Sequence, residues 1–153
     1  MIGSGYTAIS ASYSHSLALK TDATLWAWGI NEAGQIGDGS LVSKNTPIQI
    51  GSDFAAIDAS YSHSLALKND GSLWAWGYNG YGVLGDGTKI DKYTPKQIAT
   101  GYTAIAAGVY HSLALKTDGT LWAWGNNYWT QLGDGTSKDS ATPVQVKVHS
   151  LEK

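Results

Sequence analysis

The sequence contains no cysteine and no arginine, and it has a single phenylalanine, a single methionine and three prolines in 153 residues. Without cysteine the chain has no disulfide framework, no thiolate nucleophile and no zinc–thiolate site. A groove for nucleic acid usually clusters basic residues and uses arginine to read bases. Because the ten basic residues are all scattered lysines and the net charge is −2, we expect no nucleic-acid partner.

Long apolar runs are also missing from the sequence. None approaches the roughly 20 residues that a membrane-spanning helix requires, and the first residues lack the basic and then apolar segments of a signal peptide. We therefore expect no membrane partner, and the compartment stays unknown, with the cytoplasm as the default. Only 14% of the residues are charged and nineteen are glycine. With no helical periodicity, this composition favours an all-β fold with many turns.

The sequence consists mainly of one unit of 48 residues written three times. The copies cover residues 3–50, 51–98 and 99–146, and a tail, 147–153, lies outside the repeat. Each copy contains His-Ser-Leu-Ala-Leu and then Leu-Trp-Ala-Trp-Gly, two runs that alternate large and small side chains as strands do. An Asp-Gly turn separates these runs in the second and third copies. The pattern predicts a β-hairpin in every copy.

The register of the hairpin decides which side chains share a face. A two-residue turn at 22–23 would pair Leu19 with Trp26 and place the large side chains on one face and the small ones on the other. Stacked copies could then interlock at normal packing density. Ala23 stands where the other copies have glycine, and a positive φ would cost it about 1 kcal/mol, so we expect a different turn type there. The predicted inter-blade packing residues are Trp26, Trp28, Trp74, Trp76, Trp122, Trp124, Leu17, Leu65 and Leu113.

Each copy also has a short apolar segment at its start and a Thr-Pro segment at its end, both of which we interpret as strands. Four short antiparallel strands in roughly 40 to 50 residues are typical of a β-propeller blade. A solenoid of stacked hairpins is the alternative. The predicted fold is therefore all-β, with three four-stranded antiparallel blades.

The motifs Asp-Gly-x-Leu-Trp-Ala-Trp-Gly, Asn-x-x-Gly-x-Leu-Gly-Asp-Gly-Thr and Thr-Pro-x-x-Val resemble the repeats of the regulator of chromosome condensation (RCC1) family across residues 3–146. The resemblance implies the family's propeller, which has seven blades. The founding member is a guanine-nucleotide exchange factor for a small GTPase, while other members are scaffolds or receptors, and a fold does not carry function with it. Thr130 departs from the pattern, because Gly34 and Gly82 occupy its place in the other copies. We expect the third Gly-rich loop to differ in shape.

Three blades cannot close a ring by themselves, since propellers typically use four to eight. Each end face would expose more than roughly 400 Å² of Trp and Leu surface, a patch that soluble monomers seldom show outside a binding site. Because the two end faces are unlike, they would meet head to tail, and such contacts can close into rings. We expect the chain to be its own partner, as a six-bladed homodimer or, as the alternative, a nine-bladed homotrimer.

The residues that could carry chemistry have structural explanations. His15 and Ser16 look like a base beside a nucleophile, but adjacent strand residues point to opposite faces. Histidines on separate blades are too far apart to share a metal ion. The aspartates of the three Gly-Asp-Gly motifs lack the nearby oxygen ligands of a calcium loop and favour turn capping instead. No paired carboxylates recur, so we expect no catalytic residue, no metal, no cofactor and no enzyme activity.

Loop aromatics vary among the otherwise similar copies, and such positions can specify binding because the scaffold does not dictate them. The candidate contacts to a ligand or partner are Tyr78, Tyr81, Tyr128 and Trp129. The first hypothesis is a non-catalytic scaffold or protein-interaction module, whose partner would be an unknown protein. The second is a carbohydrate-binding propeller, which multivalency around a ring would favour with a glycan as partner. The third, nucleotide exchange, is implied by the resemblance alone.

Overall fold

The computed structural model describes residues 3–148, which form three four-stranded antiparallel sheets and no helix. Blade 1 contains β1 (Tyr6–Ala11), β2 (His15–Lys20), β3 (Leu25–Gly29) and β4 (Lys44–Gly51). Blade 2 contains β5 (Phe54–Ala59), β6 (His63–Lys68), β7 (Leu73–Gly77) and β8 (Lys92–Ala99). Blade 3 contains β9 (Tyr102–Ala107), β10 (His111–Lys116), β11 (Leu121–Gly125) and β12 (Ser140–Gln145).

Each blade uses four consecutive strands, and their order in the sheet is their order in the chain. The prediction of an all-β fold with three four-stranded blades is confirmed. No helix among the described residues is long and apolar enough to cross a membrane. Most of the tail predicted at 147–153 lies outside the described residues.

The predicted register of the hairpins is wrong by one residue. Trp26 pairs with Ala18, and not with Leu19 as the two-residue turn would require. The amide of Lys20 donates to the carbonyl of Thr24 at 3.0 Å, so the loop encloses three residues. A change from an even to an odd loop shifts the pairing by one residue and moves every side chain of one strand to the other face.

The corrected register gives every blade two faces of different chemistry. In blade 1 the face that we call the Leu face carries His15, Leu17, Leu19, Leu25 and Ala27. The opposite face, which we call the Trp face, carries Ser16, Ala18, Trp26 and Trp28. The same pairing recurs in blades 2 and 3. Leucine and tryptophan therefore lie on opposite faces, and the predicted contrast between a large and a small face becomes one between aliphatic and indole surfaces.

The expected change of turn type at Ala23 is also wrong. The amide of Ala23 donates to the carbonyl of Lys20 at 2.9 Å, and Gly71 and Gly119 make the same bond in their turns. The φ of Ala23 is +61°, close to the +78° and +83° of the two glycines. All three loops are thus a turn followed by a left-handed residue, a common three-residue hairpin connection. The paired strands hold Ala23 in a conformation that costs it about 1 kcal/mol.

The blades stack with the Leu face of one against the Trp face of the next. Leu17 of blade 1 and Trp76 of blade 2 are fully buried in one cluster. Leu65 of blade 2 and Trp124 of blade 3 are fully buried in the other. Each indole also reaches past the sheet, since Trp76 Nε1 donates to the carbonyl of Gln35 at 2.9 Å. The core is therefore made of two equivalent layers between blades.

The loops between the third and fourth strands of each blade, which we call the junction loops, lean onto the next blade. They are residues 30–43, 78–91 and 126–139. A Cβ on Gly34 would lie 2.9 Å from Tyr93 Cα, and one on Gly82 would lie 2.5 Å from Ala141 Cα. These two glycines therefore allow the outer strand of the next blade to pack directly on the loop.

The third junction loop keeps the shape of the other two, so the expectation of a different shape is wrong. Thr130 has a φ of +57°, and its amide donates to the carbonyl of Asn127 at 3.0 Å. Gly34 makes the matching bond to Asn31 at 3.1 Å. A β-branched residue rarely adopts a positive φ, so this loop imposes its conformation on an unfavourable residue.

Candidate functional site

Histidine and serine meet across both junctions between blades. His15 Nε2 lies 2.9 Å from Ser64 Oγ, and His63 Nε2 lies 3.0 Å from Ser112 Oγ. Ser64 Oγ in turn donates to the carbonyl of Gln35 at 2.8 Å. Sequence reasoning considered each histidine only with the serine beside it and missed these pairs. The signal was the repeat itself, because stacking brings each histidine to the serine one copy and one residue further along.

These pairs have the composition of a base and a nucleophile but not the arrangement. The imidazoles and hydroxyls are all buried, and Ser64 donates its proton to a carbonyl, so its oxygen accepts from His15. A catalytic serine would instead donate to the imidazole and face a substrate. Burial lowers the pKa of His15 to about 4 and, with smaller contributions from the other histidines, that of His63 to about 3. Both rings are neutral at pH 7 and act as hydrogen-bonded links between blades.

The aspartates of the Gly-Asp-Gly motifs close the junction loops. Asp38 Oδ1 accepts from the amide of Ser40 at 3.0 Å and from Asn31 Nδ2 at 3.1 Å. Lys44 Nζ lies 2.8 Å from Asp38 Oδ2. Burial alone would raise the pKa of Asp38, but the hydrogen bonds from Lys44 and Ser40 outweigh it and lower the pKa to about 2. In the described part of the chain, no cluster of three or more His, Asp or Glu could hold a metal ion.

Within residues 3–148, no other strand covers the two unlike sheet faces at the ends of the stack. The open Leu face belongs to blade 3 and carries His111, Leu113, Leu115 and Leu121. The open Trp face belongs to blade 1 and carries Tyr6, Ile9, Ser16 and Trp28. Leu121 is 39% exposed, whereas its equivalent Leu73 is 0% exposed within the stack. Tyr6 is 37% exposed, against 3% for its equivalent Tyr102.

The structure divides the predicted inter-blade packing residues into two groups. The fully buried ones are Leu17, Leu65, Trp76 and Trp124. The half-buried ones are Trp26, Trp28, Trp74, Trp122 and Leu113. Three tryptophans of the second group lie beneath a lysine, most closely where Lys116 Nζ is 3.9 Å from the centroid of Trp122. Trp28 and Leu113 lie on the open faces, where a further blade would cover them.

The four candidate loop aromatics also separate into two pairs. Tyr81 packs against Tyr110 of the next blade with ring centroids 5.2 Å apart, and Tyr78 lies 6.2 Å from Tyr81. Tyr128 and Trp129 form an edge-to-face pair at 4.8 Å in blade 3. Both are largely exposed, Trp129 at 78%. The first pair therefore takes part in a junction, while the second projects from the end of the stack.

The repeats match models of a known repeat family. Models of the regulator of chromosome condensation (RCC1) repeat match residues 22–67, 70–115 and 118–151. A second model of the same repeat matches residues 6–35 and 54–83. The ultraviolet-B receptor UVR8 of Arabidopsis thaliana is 38% identical over 42 residues, which are 28% of this chain and 10% of that protein.

Solved structures agree with this match. Prp20p from Saccharomyces cerevisiae superposes with a TM-score of 0.83 at 26% identity, over 96% of this chain and 39% of that one. Human WBSCR16 superposes with a TM-score of 0.82 at 23% identity, over 94% of this chain and 40% of that one, which shows a shared fold. Prp20p has been characterised for binding Gsp1p and histones, and Kap60 is bound to it in another crystal structure. The chain spans about 40% of the length of these proteins.

Proposed function

Because this chain belongs to the family of regulator of chromosome condensation (RCC1) repeats, we propose that it is a non-catalytic protein-interaction module that closes into a ring by self-association. The observation that carries the proposal is the pair of open faces, which match the two faces that pack inside the stack. The protein partners of Prp20p support a protein-binding role over a carbohydrate-binding one.

The open Leu face of one copy fits the open Trp face of a second copy as the internal faces fit each other. In such a seam, His111 Nε2 would reach Ser16 of the second copy, as His15 reaches Ser64. Trp28 Nε1 of the second copy would donate to the carbonyl of Gln131, as Trp124 Nε1 donates to Val83 at 2.7 Å. The contact is head to tail, so it closes only when the blades complete a circle.

The ring that best accommodates this contact contains two chains. Two copies give six blades, which lies within the usual range of four to eight, and three copies give nine, which lies outside it. Each chain of a dimer would contribute one Leu face and one Trp face, leaving none uncovered. We therefore propose a six-bladed homodimer with two identical seams.

Thr130 makes each seam looser than an internal junction. Gly34 and Gly82 allow the outer strand of the next blade to lie against the loop backbone, and Asn45 of the second copy would occupy the place of Tyr93. A side chain on residue 130 would collide there, because the equivalent position leaves no room for a Cβ. The seam would thus form through its sheet faces, with the third junction loop held further away.

The mass of the particle tests the proposal most directly. Native mass spectrometry and sedimentation velocity at micromolar concentration should show a species of twice the monomer mass of 16.2 kDa. A stable monomer at these concentrations contradicts self-assembly.

Two charge substitutions test the head-to-tail geometry. Leu121→Glu and Ile9→Glu each replace a side chain that is exposed in the single chain with a carboxylate. In the seam, residue 121 would be buried like Leu73, and residue 9 would be half-buried like Ile57. An unpaired charge that is removed from water in this way costs up to several kcal/mol. Each variant alone should be monomeric and remain folded by circular dichroism. A mixture should form an open dimer, because one intact Leu face can still meet one intact Trp face. If the mixture stays monomeric, the contact is not head to tail. Ile90→Glu serves as the control, because it adds the same charge to an exposed residue of a junction loop and should leave the dimer intact.

A further inference from the structure

The two junctions inside the chain differ at the surface where the loops meet. Between blades 2 and 3, Tyr81 and Tyr110 fill this surface with their rings 5.2 Å apart. The equivalent residues between blades 1 and 2 are Ala33 and Ser62. These small side chains leave a groove of about 470 Å³. The scaffold is the same at both junctions, so the groove is a property of side-chain choice.

The walls of the groove are aromatic. Tyr13 and Tyr61 stack with centroids 5.2 Å apart and an interplanar angle of 29°, and both are exposed. Tyr78 also lines the groove. Burial, and then the neighbouring Tyr81 and Asp91, raise the pKa of Tyr78, so its hydroxyl stays protonated at neutral pH. Large flat aromatic surfaces of this kind suit a planar or cationic group more than an aliphatic one.

The charged residues that line the groove are acidic. Glu32 and Asp91 are both lining residues, and the described residues that line the groove include no lysine. Glu32 is exposed, and Asp91 Oδ1 accepts from the backbone amide of Asn79 at 2.7 Å, which holds the carboxylate in place. The nearby Lys92 is engaged with Asp86 at 3.1 Å. A ligand entering the groove therefore meets three tyrosine side chains and two carboxylates.

We propose that this groove binds an arginine side chain of a partner protein. The guanidinium group is planar, stacks on aromatic faces and forms charge-assisted hydrogen bonds with carboxylates. The proposal rests on the protein-interaction role but not on ring closure, because blades 1 and 2 belong to the same chain. It adds two points to that role: the partner segment carries an arginine, and this segment binds at the junction between blades 1 and 2.

The test uses a fluorescein-labelled Gly-Arg-Gly-Arg-Gly peptide and fluorescence anisotropy at low salt. Saturable binding to the full chain is expected, with no binding of the same peptide carrying Glu in place of Arg. The double variant Ala33→Tyr with Ser62→Tyr reproduces the filled junction between blades 2 and 3 and should weaken binding at least tenfold. Equal binding by the filled variant overturns the proposal.

Two single variants keep the test valid if the double variant does not fold. Glu32→Gln should weaken binding two- to fivefold, while Asp118→Asn, which removes one exposed charge from a distant hairpin turn, should leave it unchanged. Loss of affinity in both variants would indicate general charge attraction and overturn the proposal. Binding of simple sugars that quench tyrosine fluorescence, without binding of the Arg peptide, would assign the groove to a glycan instead.

Repeating the titration in Leu121→Glu separates this inference from ring formation. The variant should bind the peptide with the affinity of the wild type even when it is monomeric. If the wild-type chain binds the peptide but stays monomeric at micromolar concentration, the groove is supported and the ring is contradicted. If the wild-type chain dimerises but binds no peptide, the ring is supported and the groove is contradicted.

Discussion

The substitution Thr130→Gly should strengthen self-association and the fold at the same time. Thr130 holds a φ of +57°, which costs a non-glycine residue about 1–2 kcal/mol, although the greater freedom of glycine in the unfolded chain offsets about 0.5–1 kcal/mol. The free energy of unfolding of the single chain should therefore rise by about 0.5–1 kcal/mol. The substitution also restores the glycine that the two internal junctions use.

The effect on association should be larger than the effect on folding. At the internal junctions, a Cβ would lie 2.5–2.9 Å from a Cα of the next blade, and relieving an overpacked contact is worth about 1–3 kcal/mol. With about 1.4 kcal/mol for each of two seams, the dimer dissociation constant should fall about a hundredfold. Sedimentation equilibrium over a dilution series measures this constant, and urea denaturation of a monomeric Leu121→Glu background measures the effect on folding.

Ala23→Gly provides the matched control for Thr130→Gly. Ala23 has a similar φ of +61° in a hairpin turn where the other copies carry glycine, but it lies at the internal junction between blades 1 and 2 rather than at the seam. It should raise the stability of the single chain by a similar amount and leave the dissociation constant nearly unchanged. If both variants change association equally, the steric argument about the third junction loop is refuted.

Further predictions concern the buried histidines and the packed indoles. In the folded chain, the pKa values of His15 and His63 are lowered from the usual 6.5 to about 4 and about 3. Between pH 6.5 and these lowered values the unfolded chain binds more protons than the folded chain, so the free energy of unfolding falls as the pH drops through this window. From pH 7 to pH 5 the free energy of unfolding should fall by roughly 4 kcal/mol, measured by urea titration, and His63→Gln should remove about half of this dependence; an unchanged pH profile would show that His63 is accessible to protons in the fold. Gly85→Ala should lower the free energy of unfolding by several kcal/mol, because its Cβ would lie 2.8 Å from Trp124 Nε1. The control Gly119→Ala has a similar φ and no atom within 4 Å of the new Cβ, so it should lower the free energy of unfolding by only about 1 kcal/mol. Equal losses of melting temperature in the two variants would show that contact with Trp124 does not limit position 85.

The local turn chemistry was visible in the sequence, but its exact geometry was not. Thr-Asp-Gly-Thr fits a two-residue turn and a three-residue turn equally well, and the two differ by one residue in register. The choice depends on which faces the neighbouring blades can bury. Ala23 and Thr130 show the same dependence, because both adopt conformations that their side chains disfavour and that the surrounding strands and loops impose.

The sequence by itself determined the repeat, the all-β class, the four strands of each blade and the family, because these follow from a period of 48 residues and from alternation within short runs. Only the tertiary structure decided the contacts between blades. His15 lies within hydrogen-bond distance of Ser64, 49 residues further along the chain, and Ala33 and Ser62 line the same groove, although no local pattern links these positions. The physical reason is that a blade buries neither of its faces alone, so the identity of each interface is settled only when one sheet packs on the next.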